Sequence, residues 1–187
     1  MQFNFSSEMK TIQIKDKQFQ LSITNEEIQA SIQRIATKIN QDLRNEQPIF
    51  IGVLNGCFMF MSDLLKKIDI PCEVSFIKLS SYEGTSTTGT VKQILGLNTD
   101  IEGRTVVIVE DIVDTGITME QLLKNLSNYH PKDIKIATFL QKPEALQHDI
   151  KTDYVAIEIP NDFIVGYGLD YDGFGRNLNE IYTIIKN

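Results

Sequence analysis

TVVIVEDIVDTGIT, residues 105–118, joins three signals without a break. Residues 105–109 are a β-branched run with no polar interruption, as expected of a strand covered on both faces of a parallel sheet. Glu110 and Asp111 follow at the end of that run, where open α/β sheets bind their ligands. Asp114-Thr115-Gly116-Ile117-Thr118 then leads into a helical run over 119–126. This succession predicts an α/β fold with a mainly parallel sheet flanked by helices, and it places the active site at this strand's carboxyl end.

The neighbouring chain repeats the pattern. Thr24-Asn25-Glu26-Glu27 has capping-box spacing, and Ile28, Ile32, Ile35, Ile39 and Leu43 recur every three or four residues, which predicts an amphipathic helix. IFIGVL, residues 49–54, reads as a second buried strand, followed by Asn55-Gly56 and an apolar-rich helix over 57–68. Residues 74–79, 134–140, 154–159 and 163–167 are further strand candidates, and 19–23 alternates as a peripheral strand would. Residues 80–90, SSYEGTSTTGT, carry almost no apolar anchor and read as a long loop, either an insertion or a lid.

The whole chain sets outer bounds. Its 187 residues, 42% hydrophobic, suit a single domain over 1–187 with both chain ends packed to one side. A net charge of -7 argues against a nucleic-acid or anionic-membrane surface and means that an anionic substrate needs metal ions to offset the field. No apolar run approaches the roughly 20 residues of a membrane-spanning helix. Cys57 and Cys72 have no CxxC spacing, which predicts a reduced, cytoplasmic protein.

The motifs narrow the chemistry. Thr115, Gly116 and Thr118 offer hydroxyls, a residue without Cβ and backbone N–H groups at a helix start, which suit a phosphate dianion. An isolated D-T-G is more often an ordinary helix cap by Asp114 or Thr115. Glu110 and Asp111 shift the balance, since two carboxylates beside a phosphate site repel it unless they bind Mg²⁺ or accept sugar hydroxyls. The combination favours a sugar phosphate. A P-loop is excluded because 84–89 is followed by Thr90 rather than lysine. Asp111 and Asp114 are three apart, where an aspartyl-phosphate nucleophile pair needs two. His130 and His148 stand far apart without a cysteine cluster and read as surface residues rather than zinc ligands.

Residues 106–118, VVIVEDIVDTGIT, resemble the phosphoribosyl-diphosphate (PRPP) binding motif of type I phosphoribosyltransferases. Leu54-Asn55-Gly56, KLSSY at 78–82, LQK at 140–142 and IPNDFIVGYGLDY at 159–171 are similar, in order, to segments of the hypoxanthine-guanine members of that family. The likeness runs from about residue 50 to 178. It implies a type I phosphoribosyltransferase fold with a small hood from about 1–24 and 159–187, and transfer of the phosphoribosyl group of PRPP to a 6-oxopurine base, with Mg²⁺.

The resemblance also implies roles. Glu110 and Asp111 would accept the ribose hydroxyls, Asp114, Thr115, Gly116, Ile117 and Thr118 would hold the 5-phosphate, and Asp114 would be the catalytic group at purine N7. Lys142 would donate to the 6-oxo group, Phe163 would stack on the purine, and Ile164 and Asp170 would offer backbone carbonyls to its edge. Leu54, Asn55 and Gly56 would contact pyrophosphate, with a cis peptide before Asn55, and Arg176 would add a cation. Ser81 and Tyr82 would lie on the lid. Glu110, Asp111 and Asp170 would be metal-associated, and the assembly would be a homodimer or homotetramer. Asn55 and Ile117 depart from the family's common pattern, standing where many members carry lysine. The alternatives are a PRPP-sensing regulator that binds nucleic acid and a xanthine-preferring transferase.

Overall fold

The structure, a computed structural model, describes residues 10–81 and 92–186. Strands β1 Thr11–Ile14 and β2 Lys17–Ile23 precede helix α1 Asn25–Asp42, strand β3 Ile49–Leu54 and helix α2 Phe58–Leu65. Strands β4 Glu73–Ser81, β5 Lys92–Leu95 and β6 Thr105–Val113 lead to helix α3 Ile117–Ser127. Strands β7 Asp133–Gln141, β8 Tyr154–Glu158, β9 Ile164–Val165 and β10 Ile181–Ile184 complete the chain.

The main sheet has the order β5-β4-β3-β6-β7-β8 and is parallel throughout except for the antiparallel β4–β5 edge. Alternation along β6 explains its unbroken apolar run. Val107 and Val109 pack with Phe50 against α1 and α2, while Val106 and Ile108 pack with Ile49, Ile51 and Val53 against Met119, Leu122 and Leu126 of α3. Both faces are dry, so both parities of the strand are apolar. α1 buries Ile28, Ile32, Ile35 and Ile39 as the spacing predicts, and Thr24 and Glu27 close the capping box.

The strand order reverses between β3 and β6, which lie side by side with their following helices on opposite faces of the sheet. Such a reversal opens a crevice at the carboxyl ends of the two strands, the place where open α/β sheets take ligands. Both motif-bearing stretches, 54–56 from the end of β3 and 110–118 from the end of β6 into α3, lie there. The chain ends build a second, antiparallel sheet in the order β1-β2-β10-β9, closed over Phe19, Val165 and Tyr182, as the hood requires.

Several boundaries differ from the sequence reading. β6 runs on to Val113 because β7 keeps pairing with it as far as Gln141, so Glu110 and Asp111 lie inside the strand. The second helix stops at Leu65, where i→i+3 turns at Lys67 and Ile68 replace the helical ladder. The strand anticipated over 163–167 shrinks to two residues because Gly166, Tyr167 and Gly168 all take positive φ. Ser80 and Ser81 belong to β4, and β5 is an additional strand that pairs back on them; residues 82–90 of the anticipated loop lie outside the described residues. Among the described residues no helix is long and apolar enough to cross a membrane.

Candidate active site

The turn after β6 wraps a cavity of about 250 Å³ lined by Glu110, Asp111, Asp114, Thr115, Gly116 and Thr118 among others. Gly116, not Asp114 or Thr115, is the N-cap of α3, with φ of 82° and no side-chain capping bond. Glycine adopts that left-handed conformation without steric cost, and the Thr115 hydroxyl accepts Ile117 N–H at 3.5 Å, so backbone and hydroxyl together shape the start of the helix. A Cβ at Gly116 would stand 3.0 Å from Ile150 and 3.5 Å from His148, and Gln147 N–H donates to the Thr115 carbonyl at 3.0 Å. Residues 146–150 thus roof the cradle from outside. His148 is part of that roof rather than a plain surface residue: its Nδ1 lies 3.2 Å from Glu120 Oε2 on α3.

Released from capping, Asp114 has another partner. Its Oδ2 lies 3.2 Å from Nζ of Lys142, whose side chain is only 10% exposed against 46% for Asp114. The pair spans 28 residues of sequence and is brought together by strand register: Val113 pairs with Gln141, and Lys142 N–H donates to the Val113 carbonyl at 3.0 Å. A buried ammonium beside a half-exposed carboxylate presents one donor and one acceptor side by side at the edge of that cavity.

On the other side of the crevice, the Leu54–Asn55 peptide is cis, in agreement with the expectation from the resemblance. Gly56 stands against Asp111 so closely that a Cβ there would lie 1.4 Å from Oδ2. Asp111 Oδ1 in turn accepts Ile112 N–H at 2.9 Å. Beside Gly56 in sequence, burial pushes the Cys57 thiol up to about 12, and the negative charges of Glu110 and Asp111 add to the effect.

The C-terminal segment is ordered by its own contacts. Phe163 is 46% exposed, with its ring edge-on to Tyr171 at 5.9 Å and 6.3 Å from Phe19. Read without the resemblance Phe163 would be core, and the structure instead leaves an aromatic face open. Ile164 buries its side chain, so its backbone is the part left to meet a ligand. Asp170 pairs with Arg176 and accepts Gly173 N–H at 2.6 Å, while Arg176 also donates to the Gly168 carbonyl at 2.6 Å. Arg176 is therefore held by Asp170 and the 168 carbonyl. Ser81 ends β4, and Tyr82 of the expected lid lies outside the described residues.

No group of three or more His, Cys, Asp or Glu side chains among the described residues forms a metal cage. Glu110 and Asp111 nevertheless supply hard carboxylate oxygens beside the cavity, a donor set that suits Mg²⁺, which is usually held by one or two carboxylates together with substrate phosphates and water. The roof over 146–150 and the anchoring of Tyr167 by Asp63 and Gln29 had no sequence signal.

Comparison with known proteins agrees with this geometry. Residues 21–172 match the phosphoribosyl transferase domain family. The chain is 43% identical over 157 residues to the hypoxanthine-guanine phosphoribosyltransferase of Bacillus subtilis, covering 83% of this chain and 87% of that protein. It is 38% identical over 174 residues to the one from Aquifex aeolicus, covering 92% and 98%. Among solved structures, a hypoxanthine-guanine phosphoribosyltransferase from Bacillus anthracis superimposes with a TM-score of 0.79 at 36% identity, over 89% of this chain and 96% of that one. A hypoxanthine phosphoribosyltransferase from Trypanosoma cruzi, solved as a ternary substrates complex, gives 0.82 at 36% identity, over 88% and 94%. Fold, crevice and relatives converge: the chain belongs to the phosphoribosyl transferase domain family, among the hypoxanthine-guanine phosphoribosyltransferases.

Proposed function

We propose that the chain works in purine salvage, transferring the 5-phosphoribosyl group of PRPP to hypoxanthine or guanine and giving IMP or GMP plus pyrophosphate. The observation that carries this reading is the Asp114–Lys142 pair at 3.2 Å beside the phosphate cradle. A 6-oxopurine protonated at N7 presents the complementary edge, an oxygen acceptor next to an N–H donor. Adenine offers an amino group where Lys142 needs an acceptor.

Each residue then has a chemical task. Backbone N–H groups and hydroxyls of residues 115–118 hold the 5-phosphate at the start of α3. Glu110 and Asp111 accept the ribose hydroxyls, Leu54, Asn55 and Gly56 face the diphosphate, and Arg176, held by Asp170 and the Gly168 carbonyl, adds a cation for it. Phe163 stacks on the base, and Ile164 and Asp170 meet its edge through their backbones. As the N9–C1 bond forms and the C1–O bond to pyrophosphate breaks, the bonding pair leaves with pyrophosphate and the N7 proton passes to Asp114. The same carboxylate stabilises oxocarbenium character at the ribose. Glu110, Asp111 and Asp170 would hold Mg²⁺ together with PRPP, and the ion would supply the charge neutralisation that a diphosphate needs on a chain of net charge -7. A homodimer or homotetramer in the cytoplasm, where Cys57 and Cys72 stay free thiols, completes the proposal.

The test is product formation. With PRPP and Mg²⁺, hypoxanthine or guanine is expected to yield its nucleotide on chromatography and adenine none. Absence of nucleotide from every 6-oxopurine would overturn the assignment, and product from xanthine above the other bases would redirect it.

A further inference from the structure

Gly166, Tyr167 and Gly168 stand at φ of 108°, 47° and 102° in succession. The outer two suit glycine. At Tyr167 a bulky residue occupies a conformation it seldom adopts, and such a conformation persists only where surrounding contacts over-determine it. The ring, 1% exposed, packs on Phe139 with centroids 4.9 Å apart. The hydroxyl donates to Asp63 Oδ2 of α2, which also accepts Gln29 Nε2 of α1 at 2.7 Å, while Lys66 lies 2.9 Å from Oδ1. Burial by itself would raise the Asp63 carboxyl, but the hydrogen bonds from Tyr167, Lys66 and Gln29 outweigh it and hold the group below the usual carboxylate range. The phenol is thus anchored on an anion at neutral pH.

The two glycines transmit this anchor. A Cβ at 166 would lie 2.0 Å from the Glu180 carbonyl oxygen in the hood, and one at 168 would lie 2.0 Å from the carbonyl oxygen of Gly56. Gly56 itself abuts Asp111. A continuous line of contacts therefore runs from Asp63 through Tyr167, Gly168 and Gly56 to Asp111. The Asp114–Lys142 pair, at the ends of β6 and β7, lies outside that line.

We infer that Tyr167, anchored by Asp63, is a positioning residue for the diphosphate end of PRPP, fixing where Gly168 presses on Gly56 and hence where the 54–56 turn and Asp111 stand. This rests on the reading of 54–56 as the diphosphate contact. It explains why the segment needs a tyrosine at positive φ between two glycines: the side chain fixes the backbone, and the missing Cβ atoms let that backbone touch its neighbours.

Tyr167→Phe keeps the ring and removes only the hydroxyl. Its dissociation constant and KM for PRPP are expected to rise about tenfold, the usual scale for losing a hydrogen bond to a charged group. The KM for hypoxanthine is expected to stay within about twofold. Asp63→Ala should reproduce this pattern, and Asp63→Asn, which retains an acceptor, should fall between it and wild type. Asn55→Asp tests the underlying reading separately, because a new charge on that exposed side chain must weaken PRPP binding if the turn faces the diphosphate. Unchanged PRPP affinity in Asn55→Asp overturns the reading and the inference with it. If Asn55→Asp is weakened but Tyr167→Phe binds PRPP like wild type, the positioning role alone is overturned. Equal losses for PRPP and hypoxanthine in Tyr167→Phe, together with a lowered Tm, reduce Tyr167 to a structural residue and also overturn it.

Discussion

Asp114→Asn is expected to lower kcat by about 10²- to 10⁴-fold, the range spanned by positioned acid–base groups. Its PRPP dissociation constant should stay within about threefold of wild type, the signature of an interaction made in the transition state alone. The reason lies in how the turn after β6 divides its labour. Gly116 caps α3 through its backbone, and no side-chain capping bond is made there, so removing the Asp114 charge leaves the phosphate cradle in place. Asparagine still fits beside Lys142 and still offers an oxygen, but it cannot take up the N7 proton. Pre-steady-state kinetics with PRPP and hypoxanthine checks both halves of the expectation. A variant that turns over like wild type would remove Asp114 from the chemistry, and one that loses PRPP affinity as steeply as turnover would make it a binding residue.

Lys142→Met is expected to lower kcat/KM for hypoxanthine and guanine by about 10²-fold, with PRPP affinity little changed. Methionine keeps the buried stem, so the packing of a side chain that is 10% exposed survives while its ammonium is lost. Two effects add. The 6-oxo oxygen loses its charged donor, and the advantage of 6-oxopurines over adenine shrinks because nothing at that position then demands an acceptor. Steady-state kinetics with the three bases separates this from a general loss of activity. Retained discrimination against adenine would show that Lys142 does not read the 6-position.

What the sequence could and could not show follows from the range of the forces involved. Residues 49–54 form β3 as read, because a dry strand has to be apolar at every position, and α1 is declared by its own spacing and cap. β1 carries no such signal, since its four residues alternate between exposed and half-buried and gain their place only by pairing with β2. The hood's closure, Phe19 opposite Ile184, joins parts of the chain whose local patterns do not refer to each other. In the site, the acidic pair and the cradle were legible as one contiguous motif. The partnership of Asp114 with Lys142 was not, because it depends on the register of β6 on β7. Nor was the exposure of Phe163, an aromatic residue whose composition-level expectation is the core. The C-terminal segment was placed at the base by resemblance, while its internal bracing, Arg176 on Asp170 and Gly168, is a matter of tertiary geometry.

On this mechanism the Asp114–Lys142 pair opens to receive the O6–N7 edge of a purine. A crystal structure with hypoxanthine, Mg²⁺ and an unreactive PRPP analogue decides whether it does. The expected result is Lys142 Nζ moved from its 3.2 Å contact with Asp114 onto the 6-oxo oxygen, Asp114 within hydrogen-bonding distance of N7, and the base lying against Phe163. An intact Asp114–Lys142 pair with hypoxanthine bound elsewhere in the crevice would contradict it.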